Sequence, residues 1–538
     1  MLKLCKAQFV ILILLIIASG LFATEAQYLI IVRDNLYQTV QPLAQWKTKK
    51  GVITRVVKLS DIGGNNPEAI KKYISDVYYQ SDPDLKYVLL VGDINYISPY
   101  PHPNCGPTDN YYADVNNDTL LEISIGRLPC QSMSQLRSMI YKIFSYERTP
   151  YLSDTLWYKK AVTVRQDPGP YHNAGVHFVR SMILDNSDYT QVDTLWVPTN
   201  DRRDLKDTLA QGRSYYLYTG HGGGRNWVSP FNISLPVHNS RKLPIIFSWS
   251  CQTVLQRNYL GQKWLKSGSA KYPKGAVAYI GTTTSGLYAP YRNFVARNFF
   301  RAIFQYKTLN IGKALRQGLD SLWTYTPDSF GLKLYSEWNL LGDPEMNLWT
   351  AVPKPMAVAH ETIIGLGEQS FYINVTTQDG MSIPNALVCV MMPNELDFYY
   401  RGYTDSLGVI TFNINPTIQD SIWVTITAQN RIPYEGKCVV SANSYKSTQS
   451  VTTNNMKEIF KLYPNPAKSY FTVRLPQTAD DNVLKIFDAA GKVIKIEDLG
   501  SLITNEYQVS LDRMNPGVYF VSLETATNKE IQRLIILK

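Results

Sequence analysis

The chain of 538 residues has little charge, histidine or cysteine. Charged residues make up 18% of it, and there are six histidines and six cysteines. The formal net charge of +10 is spread along the chain, without a block of five or six basic residues. Nucleic-acid binding needs a clustered basic stripe or a recognisable module, so we expect no nucleic-acid partner. The aromatic content of 12% is typical of a well-packed protein rich in β-structure.

Long apolar runs are also missing after the first 26 residues. Lys3 and Lys6 precede an apolar stretch from Phe9 to Phe22, and the small residues Thr24 and Ala26 follow it. This order predicts a signal peptide at 1–26, because the apolar stretch is too short to span a membrane. No later segment approaches the roughly 20 apolar residues of a spanning helix. We therefore expect an exported protein with no transmembrane span.

Five cysteines remain after this segment, and an odd number in an exported protein indicates an unpaired or reactive thiol. They are Cys105, Cys130, Cys251, Cys389 and Cys438. Cys105 with Cys130, and Cys389 with Cys438, could form disulfides, although the sequence leaves the connectivity open. If both pairs formed, Cys251 would be the cysteine without a partner.

Apolar strand patterns alternate with helical patterns from Tyr28 onward. Strands are predicted at 28–32, 52–59, 87–91, 161–164, 215–219, 245–249 and 276–281, and helices at 36–50, 67–80 and 291–306. This βαβ rhythm predicts a parallel sheet with helices on both faces. We expect an α/β unit of two similar halves, at 27–155 and 156–352.

The character of the chain changes after Pro353. Short segments of alternating apolar and polar residues at 353–440 predict an immunoglobulin-like β-sandwich. Residues 441–456 are rich in Ser, Thr and Asn and read as a linker. Residues 457–538 have the pattern of a compact C-terminal β-sandwich.

Two of the predicted strands end in chemically useful residues. The first runs into Thr219-Gly220-His221-Gly222-Gly223-Gly224, and the second ends in Ser250-Cys251. Ligands bind beyond the carboxyl ends of strands in open α/β sheets. Neighbouring strands would bring the imidazole of His221 and the thiol of Cys251 to one rim, which is the equipment of a cysteine nucleophile with its acid/base partner.

This block resembles the gingipain-type cysteine peptidases of the caspase-like clan. The resemblance covers roughly 28–345 and includes Tyr87-Val88-Leu89-Leu90-Val91-Gly92-Asp93, Thr108-Asp109-Asn110-Tyr111-Tyr112, Glu122-Ile123-Ser124-Ile125-Gly126-Arg127 and Gly342-Asp343-Pro344. It implies a caspase-like fold for the catalytic unit, with Cys251 as nucleophile and His221 as general acid/base. It also implies that Glu122 supports the histidine.

Further site residues follow from physical reasoning and from the resemblance to the gingipain-type family. An oxyanion needs donors fixed in advance, and the backbone N–H groups of Gly222 and Cys251 are the candidates. Gln135 aligns with the acid of arginine-cleaving family members, and Tyr288 with an aromatic wall of the substrate pocket. Because Gln135 carries no charge, a preference for a basic P1 residue loses its counter-charge.

The C-terminal segment resembles the sorting domain of proteins exported by the type IX secretion system. The resemblance rests on Leu462-Tyr463-Pro464-Asn465-Pro466, on 484–492, on Asn515-Pro516-Gly517-Val518-Tyr519-Phe520 and on the ending at 534–538. It implies transport across an outer membrane by the type IX machinery. In that family, attachment to surface lipopolysaccharide is a common result.

The sequence thus predicts a secreted or surface cysteine endopeptidase that acts on proteins or peptides. Other functions stay open. The alternative is an inactive peptidase-like surface adhesin. A serine esterase is disfavoured because no Gly-x-Ser-x-Gly elbow is present. No cofactor or catalytic metal is expected, since His172 and His177 lack a zinc-binding context. Residues 114–118 carry side-chain oxygen atoms at alternate positions. This pattern is typical either of a structural calcium site or of a polar turn.

Overall fold

The computed structural model describes residues 26–81, 84–233, 235, 237–286, 289–442, 460–474, 482–488, 492–500, 506–512, 514–524 and 529–537. Residues 1–25 of the predicted signal peptide, Tyr288 and most of the predicted linker lie outside these ranges. The chain divides into two units, residues 1–446 and 447–538.

The first unit is built on one ten-stranded sheet with the order β2-β1-β3-β6-β12-β11-β10-β9-β7-β8. Its strands are β1 (Tyr28–Val32), β2 (Thr54–Lys58), β3 (Tyr87–Val91), β6 (Ser124–Leu128), β7 (Lys160–Arg165), β8 (Gln191–Trp196), β9 (Tyr215–Thr219), β10 (Ile245–Trp249), β11 (Ala278–Thr282) and β12 (Trp338–Leu341). A small hairpin of β4 (Tyr100–His102) and β5 (Gly106–Thr108) lies outside this sheet.

Strand direction reverses once in this sheet, at the pair β11 and β12. That pair is antiparallel, whereas β12 pairs parallel with β6 and every other neighbouring pair is parallel. The two predicted halves therefore join side by side and run in opposite directions. The carboxyl ends of the second half share an edge with the amino ends of the first.

Helices cover both faces of the sheet, as the βαβ pattern predicts. They are α1 (Tyr37–Lys49), α2 (Pro67–Gln80), α3 (Met133–Glu147), α4 (Pro170–Asp185), α5 (Arg202–Gln211), α6 (Leu260–Lys266), α7 (Ala289–Phe304), α8 (Ile311–Tyr325) and α9 (Ser329–Ser336), with short 3₁₀ turns at Asp34–Leu36, Leu59–Ile62, Asn110–Tyr112 and Leu156–Lys159. Strands β1, β3, β6, β9, β10 and β11 are buried along their whole length, which explains their continuous apolar runs.

Residues from three of the family-like sequence motifs form buried ion pairs in the core. The guanidinium of Arg127, fully buried, makes a bidentate pair with Asp109 at 2.6 and 2.7 Å. A second buried network surrounds Lys47, whose Nζ lies 2.6–2.7 Å from carboxylate oxygens of Glu147, Asp343 and Glu345. These ion pairs connect segments far apart in sequence inside the core.

A two-sheet β-sandwich follows the α/β part. One sheet has the order β13-β15-β18 and the other β14-β20-β19-β16-β17. The strands are β13 (Ala357–His360), β14 (Ile363–Ile364), β15 (Gln369–Thr376), β16 (Leu387–Met392), β17 (Glu395–Tyr403), β18 (Val409–Ile414), β19 (Ser421–Thr427) and β20 (Tyr434–Val440). Glu435 joins this sandwich to the α/β part through Lys49 at 2.6 Å and Arg148 at 2.6–2.7 Å.

The second unit is also a β-sandwich, with sheets β21-β22-β25 and β24-β23-β26-β27. Its strands are β21 (Lys461–Tyr463), β22 (Tyr470–Arg474), β23 (Asn482–Asp488), β24 (Val493–Gly500), β25 (Glu506–Ser510), β26 (Gly517–Glu524) and β27 (Lys529–Ile536). Apolar side chains such as Phe471, Leu484 and Val521 fill the space between the two sheets.

The two disulfides that the sequence left open are not formed, because all five cysteines in the described ranges are free. Cys389 lies on β16 and Cys438 on β20, with β19 between those strands. Two strand spacings are about 9.6 Å, which exceeds the reach of a disulfide. Cys105 and Cys130 are buried separately. A search of the described residues finds no helix with the length and apolarity to cross a bilayer.

Candidate active site

His221 stands at the carboxyl end of β9, on a turn that requires glycine. Gly220 has φ +144°, and a Cβ there would lie 2.6 Å from the side-chain oxygen of Gln166. The N–H of His221 donates to that same oxygen at 3.0 Å, and its carbonyl accepts from Tyr218 Oη at 2.9 Å. The backbone is thus fixed on both sides, while the imidazole remains 60% exposed at the rim.

The sheet register brings Cys251 beside this turn. Trp249 at the end of β10 pairs with Thr219 at the end of β9, so each site residue lies two positions beyond a paired residue. A Cβ at Gly222 would overlap the carbonyl oxygen of Cys251 and lie 3.1 Å from its nitrogen. Glycine is therefore needed for this close approach, and the predicted meeting of the two strand ends is found.

Two backbone donors at this meeting point are available to a ligand. The N–H groups of Gly222 and Cys251 donate to no backbone carbonyl in the described part of the chain, since Gly222 and Trp227 form a non-hydrogen-bonded bridge pair. They are the two donors that the sequence predicts for an oxyanion. Preorganised N–H groups of this kind stabilise charge that develops on a substrate carbonyl oxygen.

The loop that carries Cys251 is held by the neighbouring strand β11. The carbonyl of Ser250 accepts a hydrogen bond from Thr282 Oγ1 at 2.6 Å. On the other side, Gln252 has φ +50° and donates its N–H to Thr284 O at 3.1 Å. A non-glycine residue in this region is strained, and such strain is common where a reactive side chain must be aimed.

A buried cation contacts the thiol. Nη1 of Arg292, on α7, lies 3.3 Å from Cys251 Sγ, and the rest of the guanidinium pairs with Glu337 at 2.7–2.8 Å. Burial lowers the pKa of Arg292, but the Glu337 carboxylate outweighs burial and the net pKa is raised. The guanidinium thus stays charged and favours the thiolate form of a neighbouring sulfur.

The carboxylate beside the imidazole belongs to Asp167. Its Oδ2 lies 3.4 Å from His221 Nε2 and 3.7 Å from Nε2 of a second histidine, His172. The ring of His172 stacks on Trp249 with centroids 4.6 Å apart. Burial lowers the pKa of His172, with Asp167 opposing the change. Asp167 can therefore orient the exposed imidazole and stabilise its charged form.

Glu122, which the sequence predicts for that role, lies elsewhere. Its carboxylate accepts hydrogen bonds from the N–H of Val115 at 2.9 Å and from Asn116 Nδ2 at 2.8 Å. Glu122 does precede β6 at the same edge of the sheet as His221. However, β12, β11 and β10 separate β6 from β9, a distance of about 19 Å at normal strand spacing.

Gln135 is likewise not near Cys251. It lies in the first turn of α3, where its Oε1 accepts from Gln131 N at 2.8 Å. That turn follows the carboxyl end of β6, which the reversal of strand direction places at the opposite edge of the sheet. Tyr288, the predicted aromatic wall, lies outside the described residues, so its role stays a prediction.

The acidic residues at 114–118 accept hydrogen bonds from their own segment. Asp114 accepts from Asp118 N at 3.0 Å and pairs with Lys71 at 3.3 Å, and Asp118 caps Leu120 N at 2.9 Å. Residues 114–118 thus form a hydrogen-bonded polar turn. Among the described residues, a cluster of three carboxylates occurs at Glu147, Asp343 and Glu345. The ammonium of Lys47 already lies between them.

Sequence reasoning missed Asp167, His172 and Arg292. Asp167 has a recognisable signal, because it comes two residues after the end of β7, at the carboxyl edge where ligands bind. Arg292 has none, since it lies on a helix and meets Cys251 only through packing. Together the groups supply a nucleophile, an acid/base, a supporting carboxylate and oxyanion donors, which suits acyl transfer.

Profiles of known protein families match two parts of the chain. The profile of peptidase family C25 matches residues 23–349, and that of the secretion system C-terminal sorting domain matches residues 461–537. The second match confirms the predicted sorting domain and supports export to the cell surface.

Individual relatives are distant. Gingipain R2 of Porphyromonas gingivalis is 25% identical over 435 residues, 76% of this chain and 56% of that protein. Lys-gingipain of the same organism is 22% identical over 534 residues, 92% of this chain and 30% of that protein. The chain thus spans about half the length of Gingipain R2 and less than a third of the length of Lys-gingipain.

The fold is that of a solved structure, the Arg specific cysteine proteinase gingipain R. The TM-score is 0.70 at 21% identity, over 78% of this chain and 98% of that one. This likeness confirms the predicted fold class. Because the family profile covers more than half of its length, the chain belongs to peptidase family C25.

Proposed function

We propose that this protein is a secreted or surface cysteine endopeptidase. The observation that carries the proposal is the convergence of His221 and Cys251 on one rim, with two N–H donors available beside them. Family membership supports the same activity. No described contact favours the adhesin alternative over it.

The geometry suggests how each group would act. The Cys251 thiolate, beside Arg292, attacks the scissile carbonyl carbon, and the N–H groups of Gly222 and Cys251 stabilise the oxyanion. His221 gives a proton to the leaving amine as the C–N bond breaks, leaving an acyl-enzyme. His221 then takes a proton from a water molecule, which attacks the thioester carbon; the C–S bond breaks, and the acid product, the Cys251 thiolate and the protonated imidazole are released or restored.

Location is the second part of the proposal. The sorting domain supports passage through the type IX machinery as an interaction partner. Attachment to surface lipopolysaccharide is the finer proposal, and mass spectrometry of the mature C-terminus from the native host would test it. A mature chain that still carries residues 461–537 and no lipid-linked glycan would contradict attachment.

Cleavage of a mixed peptide library by the purified protein tests the activity. The expected result is cleavage that iodoacetamide abolishes and phenylmethylsulfonyl fluoride does not. Peptides with Arg, Lys and uncharged residues at P1 would measure the primary specificity.

Two cysteine variants separate the proposed nucleophile from a general loss of structure. Cys251→Ala should lose all cleavage, whereas Cys438→Ala, in the sandwich, should keep it. Equal cleavage by the wild type and Cys251→Ala would refute the proposal.

A further inference from the structure

A cationic cleft lies beside the Asp167–His221 pair, between α4 and the edge strand β8. It has a volume of about 440 Å³. Its polar lining consists of Arg165, Arg180, His177, Asn173, Thr194 and the indole of Trp196. None of the described lining residues carries a carboxylate, so the cleft concentrates positive charge.

The guanidinium of Arg165 has no ionic partner among the described residues. One of its Nη groups donates to the neutral side chain of Asn173, and its Nε is shielded from solvent and donates to no described residue. Arg180 donates its Nε to the carbonyl of Val192 at 3.2 Å. Both side chains thus keep donors for an anion.

On the other face of strand β8, the neighbouring arginine has a carboxylate partner. There Arg213 pairs with Asp193 at 2.7 Å, which neutralises its charge locally. A buried donor without a partner costs free energy, and unneutralised guanidinium groups attract carboxylates. The contrast between the two faces of β8 points to an anionic ligand for the cleft.

Residues that line the cleft are neighbours along the chain of residues in the proposed active site. Arg165 ends β7, and Asp167, two residues later, contacts His221 at 3.4 Å. Asn173, which holds Arg165, follows His172, which contacts Asp167. Because His221 protonates the leaving amine in the proposed function, this side of the dyad faces the leaving-group half of the substrate.

The distance fits a position shortly after the scissile bond. Strands β9, β7 and β8 are consecutive neighbours, so the end of β8 lies about 10 Å from the end of β9. An extended peptide advances about 3.3 Å per residue. The cleft is therefore in reach of the second and third residues after the cleaved bond. Trp196, 38% exposed, offers an apolar wall there.

We propose that this cleft is a primed-side subsite that selects acidic side chains at P2′ or P3′. The inference rests on the proposed peptidase function for its place in the substrate. In this cleft, the guanidinium groups of Arg165 and Arg180 would bind a carboxylate of the substrate, and this recognition does not depend on catalysis.

Kinetics on peptides that differ only at P2′ and P3′ test the subsite. Partly exposed charge pairs contribute about 0.2–1 kcal/mol each. Because the two arginines attract Asp and repel Lys, Asp at these positions should raise kcat/KM over Lys by at least about 4-fold with both arginines present. Arg165→Gln/Arg180→Gln should reduce that ratio to about 2 or less. Arg203→Gln, on α5 with a side chain 84% exposed, is the matched control and should keep the full ratio.

A binding measurement separates failure of the subsite from failure of the peptidase function. Cys251→Ala is titrated with a fluorescein-labelled Ala-Ala-Asp-Asp peptide and with its Lys-Lys counterpart, at low and at 0.5 M salt. Preferential binding of the acidic peptide, weakened by salt and lost with both arginines replaced, supports the cleft even if no peptide is cleaved. Equal binding of the two peptides, or a cleaving enzyme without an acidic preference at P2′ and P3′, overturns it.

Discussion

Asp167→Asn tests the assignment of the supporting carboxylate, because it removes a charge beside His221 and keeps the side-chain shape. The sequence alone predicts Glu122 for this role, whereas the structure places Asp167 at 3.4 Å from the ring. The two assignments make opposite predictions for kcat/KM.

The magnitude follows from the distance and the exposure of the pair. Unit charges 3.4 Å apart interact by about 1.2 kcal/mol in bulk water and by about 5 kcal/mol at an effective dielectric constant of 20. The His221 ring is 60% exposed and Asp167 27% exposed. Solvent screening therefore brings the loss nearer to about 1–2.5 kcal/mol. At about 1.4 kcal/mol for each tenfold change in rate, kcat/KM should fall about 5- to 70-fold.

Steady-state kinetics and thermal unfolding of two variants decide the matter. Asp167→Asn should lower kcat/KM with a small change in Tm. Glu122→Gln weakens the hydrogen bonds that its carboxylate accepts from Val115 and Asn116, so it should lower Tm by a few degrees and keep kcat/KM near the wild-type value. Full activity of Asp167→Asn together with an inactive, stably folded Glu122→Gln would refute this reasoning.

Three further predictions concern stability. Lys47→Met should cost about 3–5 kcal/mol in urea unfolding, because three buried carboxylates lose their shared cation; a loss below 1 kcal/mol would contradict it. Burial lowers the pKa of Lys142 from 10.5 to about 7, so the unfolded chain binds the additional proton between those values and stability rises with pH across that window. Lys142→Met should then be stabilising by about 1–3 kcal/mol at pH 6, and this gain should disappear near pH 10; an equal effect at both pH values would contradict it. Because the oxygens of Asp114 and Asp118 already accept internal bonds, excess EGTA should lower Tm by less than about 2 °C, and a larger loss that calcium restores would identify a structural calcium site.

The sequence by itself determined the local elements and the identity of the reactive pair. The predicted segments 67–80, 87–91, 215–219 and 245–249 agree with the observed ones, because their apolar runs and bounding residues are strong local signals. The rule that ligands bind beyond strand ends then singled out His221 and Cys251.

Only the tertiary structure decided what surrounds that pair. An apolar strand reads the same in either direction, so the sequence did not show the reversal at β12 (Trp338–Leu341), which places Gln135 at the far edge of the sheet. It also did not show the strand order, which places Glu122 four strands from His221. Arg292 reaches Cys251 from a helix through long-range packing, which no spacing rule describes. The same limit applies to the cysteines, since a short separation along the chain says nothing about the strand that lies between them. Local patterns specify elements, and the order and direction of those elements in space specify the site.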